Sequence, residues 1–178
     1  MQLLNNPFLL SQILIAIALI SDIISFQLKK REHILVFLTF SSLLIATHYL
    51  FLEEINAAIL FFFSFASFIT ATKTTNKKFL YAFMILYILP ITLNYTSWTD
   101  LVIFTGLYIG LIARFQKNDK HLRILMMIAT SIVITYNAII FTPMGVLIEL
   151  VFLSSNIIGY YRHHIKKRPV LEEHKRIL

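Results

Sequence analysis

The chain is a succession of apolar runs of 18 residues or more, separated only by short clusters of charged and turn residues. Each run is long enough to cross the hydrocarbon layer of a bilayer, about 30 Å thick. Lipid cannot solvate a backbone amide, so only helices or closed barrels satisfy such runs. Their length fits helices rather than the shorter, alternating strands of a barrel. Composition agrees: 58% of the 178 residues are hydrophobic and 14% are charged, against about 45–50% and about 25% in soluble domains. The expectation is an all-α, polytopic membrane protein forming a single integral membrane domain. With no cysteine, disulfides and thiolate metal sites are excluded. The opening "MQLLNNPFLLSQ" has no small-residue cleavage pattern and no Lys or Arg precedes Lys29, so no removable signal peptide is expected.

The punctuation predicts seven helices, near residues 7–28, 33–52, 55–72, 78–94, 98–115, 121–141 and 143–161. Pro90 is expected to bend the fourth or end it early. Seven spans place all 16 Lys and Arg on one side of the membrane. Lys29, Lys30 and Arg31 follow helix one; Lys73, Lys77 and Lys78 follow helix three. Arg114, Lys117, Lys120 and Arg123 surround the fifth junction, and the rest lie in the tail, residues 162–178. The opposite loops hold Glu53, Glu54 and Asp100. The positive-inside rule then puts the N-terminus outside and the C-terminus in the cytoplasm. Six or eight spans would scatter the cations over both faces. Trp98 and Tyr95 fall at the outer interface, Tyr160 and Tyr161 at the inner one, as aromatic belts do. The net charge of +7 therefore reflects orientation and contact with anionic lipid, not nucleic acid. The basic tail reads as solvated or lipid-touching, and His163, His164 and His174 lack the spacing of a zinc site.

An internal repeat accompanies this plan. "FQLKKREH" (26–33) resembles "FQKNDKH" (115–121), and the following stretches align without a gap at an offset of 88. His33 falls on His121, Thr47 on Thr135, Ser67 on Ser155 and Ile69 on Ile157. Residues 7–73 then form one three-helix unit and 95–161 a second, with the helix at 78–94 between them. One spare span makes both units run in the same direction, giving parallel repeats about an axis along the membrane normal.

Two stretches carry a family resemblance: "THYLFL" in helix two and "GVLIELVFLSSNIIGYYR" in helix seven. The three-plus-one-plus-three plan resembles the SWEET, PQ-loop and semiSWEET superfamily. The two stretches more closely resemble the YgjV family of small bacterial inner-membrane proteins. In that family a His ends helix two, a Glu follows the start of the last helix, and Asn-Ile-Ile precedes its basic end. His48, Glu149 and Asn156 stand in those places. The resemblance implies residence in the bacterial inner membrane and a SWEET-like fold, in which the third helix of each unit packs between the first two. It implies no activity. The chain departs from SWEETs in having no Pro-Gln pair and no proline within helices two, five and six. Gly106 and Gly110 in "GLYIG" offer close helix approach instead.

Three ionisable residues lie within the spans: Asp22, His48 and Glu149. Such residues are rare in membranes and by default mark function. Glu149 sits about 10 Å inside the outer end of helix seven, and His48 about 6 Å from the outer end of helix two. Asp22 lies about 9 Å from the inner end of helix one. Polar stripes accompany them and should face inward. Convergence would give an outer layer of His48, Tyr136, Asn137 and Glu149, and an inner layer of Asp22, Ser21 and Asn156. Structural explanations compete. Ser and Thr often bond their own helix, Asn137 can join helices, and His48 can reach water. Asp22 can pair with Lys29 or Lys30. Glu149 is hardest to explain so, because a carboxylate is too short to reach the surface from that depth.

These features point to a small-solute transporter or facilitator with a polar site between the repeats, built from the seven residues of the two layers. A polar, uncharged or weakly cationic solute suits it, with or without a proton, and a homo-oligomer is left open. A receptor or scaffold on the same fold is the alternative. No HExxH, GxSxG or Walker pattern occurs, so an enzyme is not expected, nor a metal or cofactor.

Overall fold

The computed structural model describes residues 7–141 and 143–166. Asn5, the loop residue Thr142, and the tail from 167 onward, His174 included, lie outside the described residues. Seven α-helices follow one another: α1 (Pro7–Gln27), α2 (Arg31–Phe51), α3 (Ile55–Lys73), α4 (Lys77–Asn94), α5 (Trp98–Arg114), α6 (Asp119–Ile139) and α7 (Pro143–Tyr160). A π-helical turn, Tyr161–Ile165, continues α7. The boundaries match the sequence reading to within two residues. Local chemistry accounts for several starts. Asn76 and Asn118 accept from the backbone N–H two residues on, at Lys78 and Lys120. Ser97 and Asp100 form a capping box at α5. Pro90 does not end α4, which runs four residues beyond it to Asn94.

Five helices, α1 from Leu9, α2, α3, α4 and α6, are long and apolar enough to cross a membrane. Their outward faces are apolar. Ile13, Ile17, Ile20 and Ile24 form one exposed stripe along α1. On α4 only Tyr87 and Pro90 are buried, while Phe79, Tyr81, Ile85, Ile88 and Leu93 are exposed. A water-exposed surface of that kind would aggregate; hydrocarbon is the solvent it suits.

The helices pack in chain order. α1 lies on α2 and α2 on α3; α5 lies on α6 and α6 on α7. Two seams close a ring of six helices, α7 against α1 and α3 against α5, and α4 lies outside against α3 and α5. This corrects the SWEET-like packing. The third helix does not sit between the first two, and α1 and α3 make no more than marginal contact. The links at residues 28–30 and 52–54 are three residues long, and links that short set consecutive helices side by side.

The offset of 88 recurs in the geometry. α2 and α6 share both boundaries at that offset, and α3 and α7 share their start. Among the described residues the only non-glycine positions with positive φ are Glu53 (62°) and Phe141 (54°), also 88 apart. Each turns the chain between the second and third helix of its half.

Two arginines clamp the seams where α1 and α5 end. Arg31, at the start of α2, donates from Nε to the Gln116 carbonyl (2.6 Å). Its Nη2 donates to the carbonyls of Arg114 (2.6 Å) and Ala71 (3.0 Å). Arg123, one turn into α6, donates from Nη1 to the Phe26 carbonyl (2.9 Å) and from Nη2 to that of Leu28 (2.6 Å). Adding 88 to 26 and 28 gives 114 and 116, so both halves present the same two carbonyls. These are the free carbonyls at the C-terminal ends of α1 and α5, where a cation also meets the negative end of the helix dipole. Gly159 makes room for one clamp. A Cβ there would collide with the Phe26 carbonyl oxygen and lie 2.5 Å from Arg123 Nη1.

Arg31→Gln and Arg123→Gln should each lower stability by about 2–3 kcal/mol, the cost of stranding buried carbonyls. The clamps share no partner, so the double variant should add the losses to within about 0.5 kcal/mol. Denaturant unfolding in detergent checks this; strong non-additivity would mean that the two seams are not independent.

Candidate functional site

The helix ring encloses a cavity lined by residues from α1, α2, α3, α5, α6 and α7, with none from α4. The space open to the centre of a water-sized sphere is about 70 Å³, more than the minimum that admits a water. Fourteen of its eighteen lining residues form pairs 88 apart: Asp22 with Gly110, Leu38 with Met126, Ser41 with Ala129, Ser42 with Thr130, Ile45 with Val133, Phe61 with Glu149, and Ser64 with Phe152. The cavity thus lies where the two halves face one another, and its two acids break the pairing. Glu149 stands opposite a Phe in register and Asp22 opposite a Gly.

Asp22 and Glu149 come from the two helices of the α7–α1 seam. The separate layers expected from their depths are replaced by one cavity that both carboxylates line. Asp22 is 5% exposed. The Ser41 hydroxyl neighbours it, yet Asp22 Oδ1 and Ser41 Oγ are both left without a hydrogen bond. No ion pair joins either acid to a cation among the described residues.

Arg114 supplies the opposite wall. The sequence places it among the surface cations of the fifth junction; the structure buries it to 2% exposure at the α3–α5 seam. Its Nε donates to the Gly110 carbonyl (3.0 Å). Its Nη1 donates to the Ser67 hydroxyl (2.6 Å), the Ser64 carbonyl (3.1 Å) and the Tyr87 hydroxyl (3.2 Å). The guanidinium lies 4.0 Å over the Phe68 ring, a cation–π contact in a desolvated place. Tyr87 and Ser64 hydroxyls are 2.6 Å apart, which draws α4 onto the ring. Sequence reading missed Arg114 because its position at a helix end made it look like an orientation signal. The clue available was Ser64 and Ser67 on one face of α3, without a counterpart assigned to them.

The other candidates join helices and do not line the cavity. Ser21 donates to the Phe37 carbonyl (2.9 Å), tying α1 to α2. A ring nitrogen of His48 meets the Ser11 carbonyl at 3.0 Å, tying α2 to α1, and the ring is buried. Asn156 is fully buried and donates to the Arg123 carbonyl (2.9 Å), tying α7 to α6. Asn137 is buried against Gly145 of α7. Tyr136 lines a separate pocket with Glu53, Glu54 and Asp100. At the start of the tail, His163 meets the Gln27 carbonyl (3.2 Å) and His164 the Asp119 carboxylate (2.9 Å). That part of the tail is docked on the helix ends. No cluster of three metal-binding side chains occurs among the described residues.

Residues 9–167 match the family described as Imp-YgjV, bacterial inner membrane protein. The chain belongs to this family. Its place is therefore the bacterial inner membrane, in keeping with the apolar outer faces of α1 and α4. No curated protein and no solved structure gives a match.

Tyr87→Phe removes the hydroxyl that accepts from Arg114 and pairs with Ser64. It should lower stability by about 1–2 kcal/mol while leaving helix content unchanged. Thermal unfolding followed by circular dichroism measures both quantities; unchanged stability would show that Arg114 is held without α4.

Proposed function

We propose that this protein is a small-solute transporter or facilitator whose site is the cavity between two parallel three-helix halves, joined by α4. In this reading the chain crosses the membrane seven times, with the N-terminus outside and the C-terminus in the cytoplasm. The observation that carries it is the cavity itself: six helices surround it, its lining is paired at an offset of 88, and two membrane-buried carboxylates face it. Parallel repeats around a central site suit alternating access, in which one half tilts against the other. The Arg31 and Arg123 clamps bridge the two seams at the inner side. Opening the cavity to the cytoplasm would release those bonds, so they favour a form closed on that side.

The topology is tested by cysteine accessibility. A Cys at position 76 should resist a membrane-impermeant thiol reagent in intact cells, and one at Trp98 should react. Labelling of position 76 from outside would sink the seven-span orientation.

Glu149 is assigned to solute or proton recognition. Glu149→Gln keeps shape but cannot ionise, and should abolish the pH dependence of uptake in proteoliposomes while the protein assembles normally. Glu149→Leu should raise thermal stability, because it removes a polar group left in an apolar wall, and should lower uptake at least tenfold. Wild-type uptake and pH dependence in Glu149→Leu would end this assignment. Absence of flux for every solute offered would favour the receptor or scaffold reading.

A further inference from the structure

The ionisable side chains of the cavity are divided across the ring. Asp22 and Glu149 face it from the α7–α1 seam, and Arg114 faces it from the α3–α5 seam. In the two-fold plan these seams are counterparts, yet one carries both acids and the other the cation. Opposite charges buried in one protein ordinarily pair, because an isolated buried charge is costly. Here they do not: no ion pair links Arg114 to either acid. Arg114 meets four neutral acceptors through Nε and Nη1, and none of its hydrogen bonds uses Nη2. Across the cavity, Asp22 Oδ1 is buried without a partner. Acidic and basic side chains therefore line one small space without an ion pair between them, and Asp22 Oδ1 and Arg114 Nη2 make no hydrogen bond there.

A simple cation would satisfy the acids but face the guanidinium. A simple anion would meet Arg114 but face two carboxylates. A neutral polyol would leave both charged walls unneutralised. We infer that the cavity takes a small amphoteric solute, with an ammonium group toward Asp22 and Glu149 and a carboxylate toward Arg114. The cavity is small, so the smallest amino acids are the first solutes to test. The Phe68 ring and the Ser64 and Ser67 contacts hold the guanidinium in place, which makes it a fixed anchor for a carboxylate. This inference rests on the cavity being a solute site, but not on the solute being carried across.

The test is equilibrium binding to the purified full chain in nanodiscs, by calorimetry and thermal shift. The probes are glycine, alanine, methylammonium, acetate and glycerol. Glycine or alanine should bind saturably, and methylammonium and acetate at least tenfold more weakly. Asp22→Asn and Arg114→Lys should each weaken amino-acid binding about tenfold or more while the fold, judged by circular dichroism, persists. If Arg114→Lys fails to fold, Asp22→Asn and Glu149→Gln still decide. Methylammonium binding as tightly as glycine would replace the inference with a cation site, and acetate doing so with an anion site. Glycerol binding alone, or no binding by any probe, would overturn it. Flux in proteoliposomes separates this from the transport proposal. Binding without flux would uphold the amphoteric site and reject transport. Flux of another solute without amino-acid binding would do the reverse.

Discussion

A helix end leaves carbonyl groups without partners in its own helix, and in this chain two arginines satisfy such carbonyls across the seams. Arg31 and Arg123 reach from α2 and α6 to the last carbonyls of α5 and α1. Each bond is charge-assisted and runs between halves, so the clamps do more than cap helix ends. They bring the halves together at one end of the bundle. Gly159 belongs to the same arrangement, since any side chain there would displace both Arg123 and the Phe26 carbonyl.

The two halves are alike in backbone and unlike in chemistry. Shared helix boundaries, the paired left-handed residues Glu53 and Phe141, and the paired cavity positions all follow one offset. The departures from it are concentrated where charge enters. Glu149 replaces what is Phe61 in the other half, Asp22 replaces Gly110, and Arg114 replaces Phe26. A symmetric scaffold thus carries an asymmetric lining. The scaffold stays rigid through neutral contacts such as Ser21 with Phe37 and Asn156 with Arg123, so the ionisable groups remain available.

The sequence by itself determined the class of solvent, the seven helices, their ends and the repeat. Those features are local: apolar length, charges between runs, caps such as Asn76 and Ser97, and residue matches at a fixed spacing. It also picked out Glu149 and Asp22, because an acid within an apolar run has few structural explanations. Only the tertiary structure decided which polar groups share a space. Ser21, His48, Asn137 and Asn156 have the same polarity and depth signals as the cavity residues, yet each meets a neighbouring helix rather than the cavity. Arg114 shows the converse: a cation at a helix end looks like a surface charge until α3 and α4 close over it. Such outcomes depend on the lateral order of helices and on which faces meet, through contacts between residues 16 to 50 positions apart. Periodicity along one helix fixes its inward face, but not the neighbour that face will find.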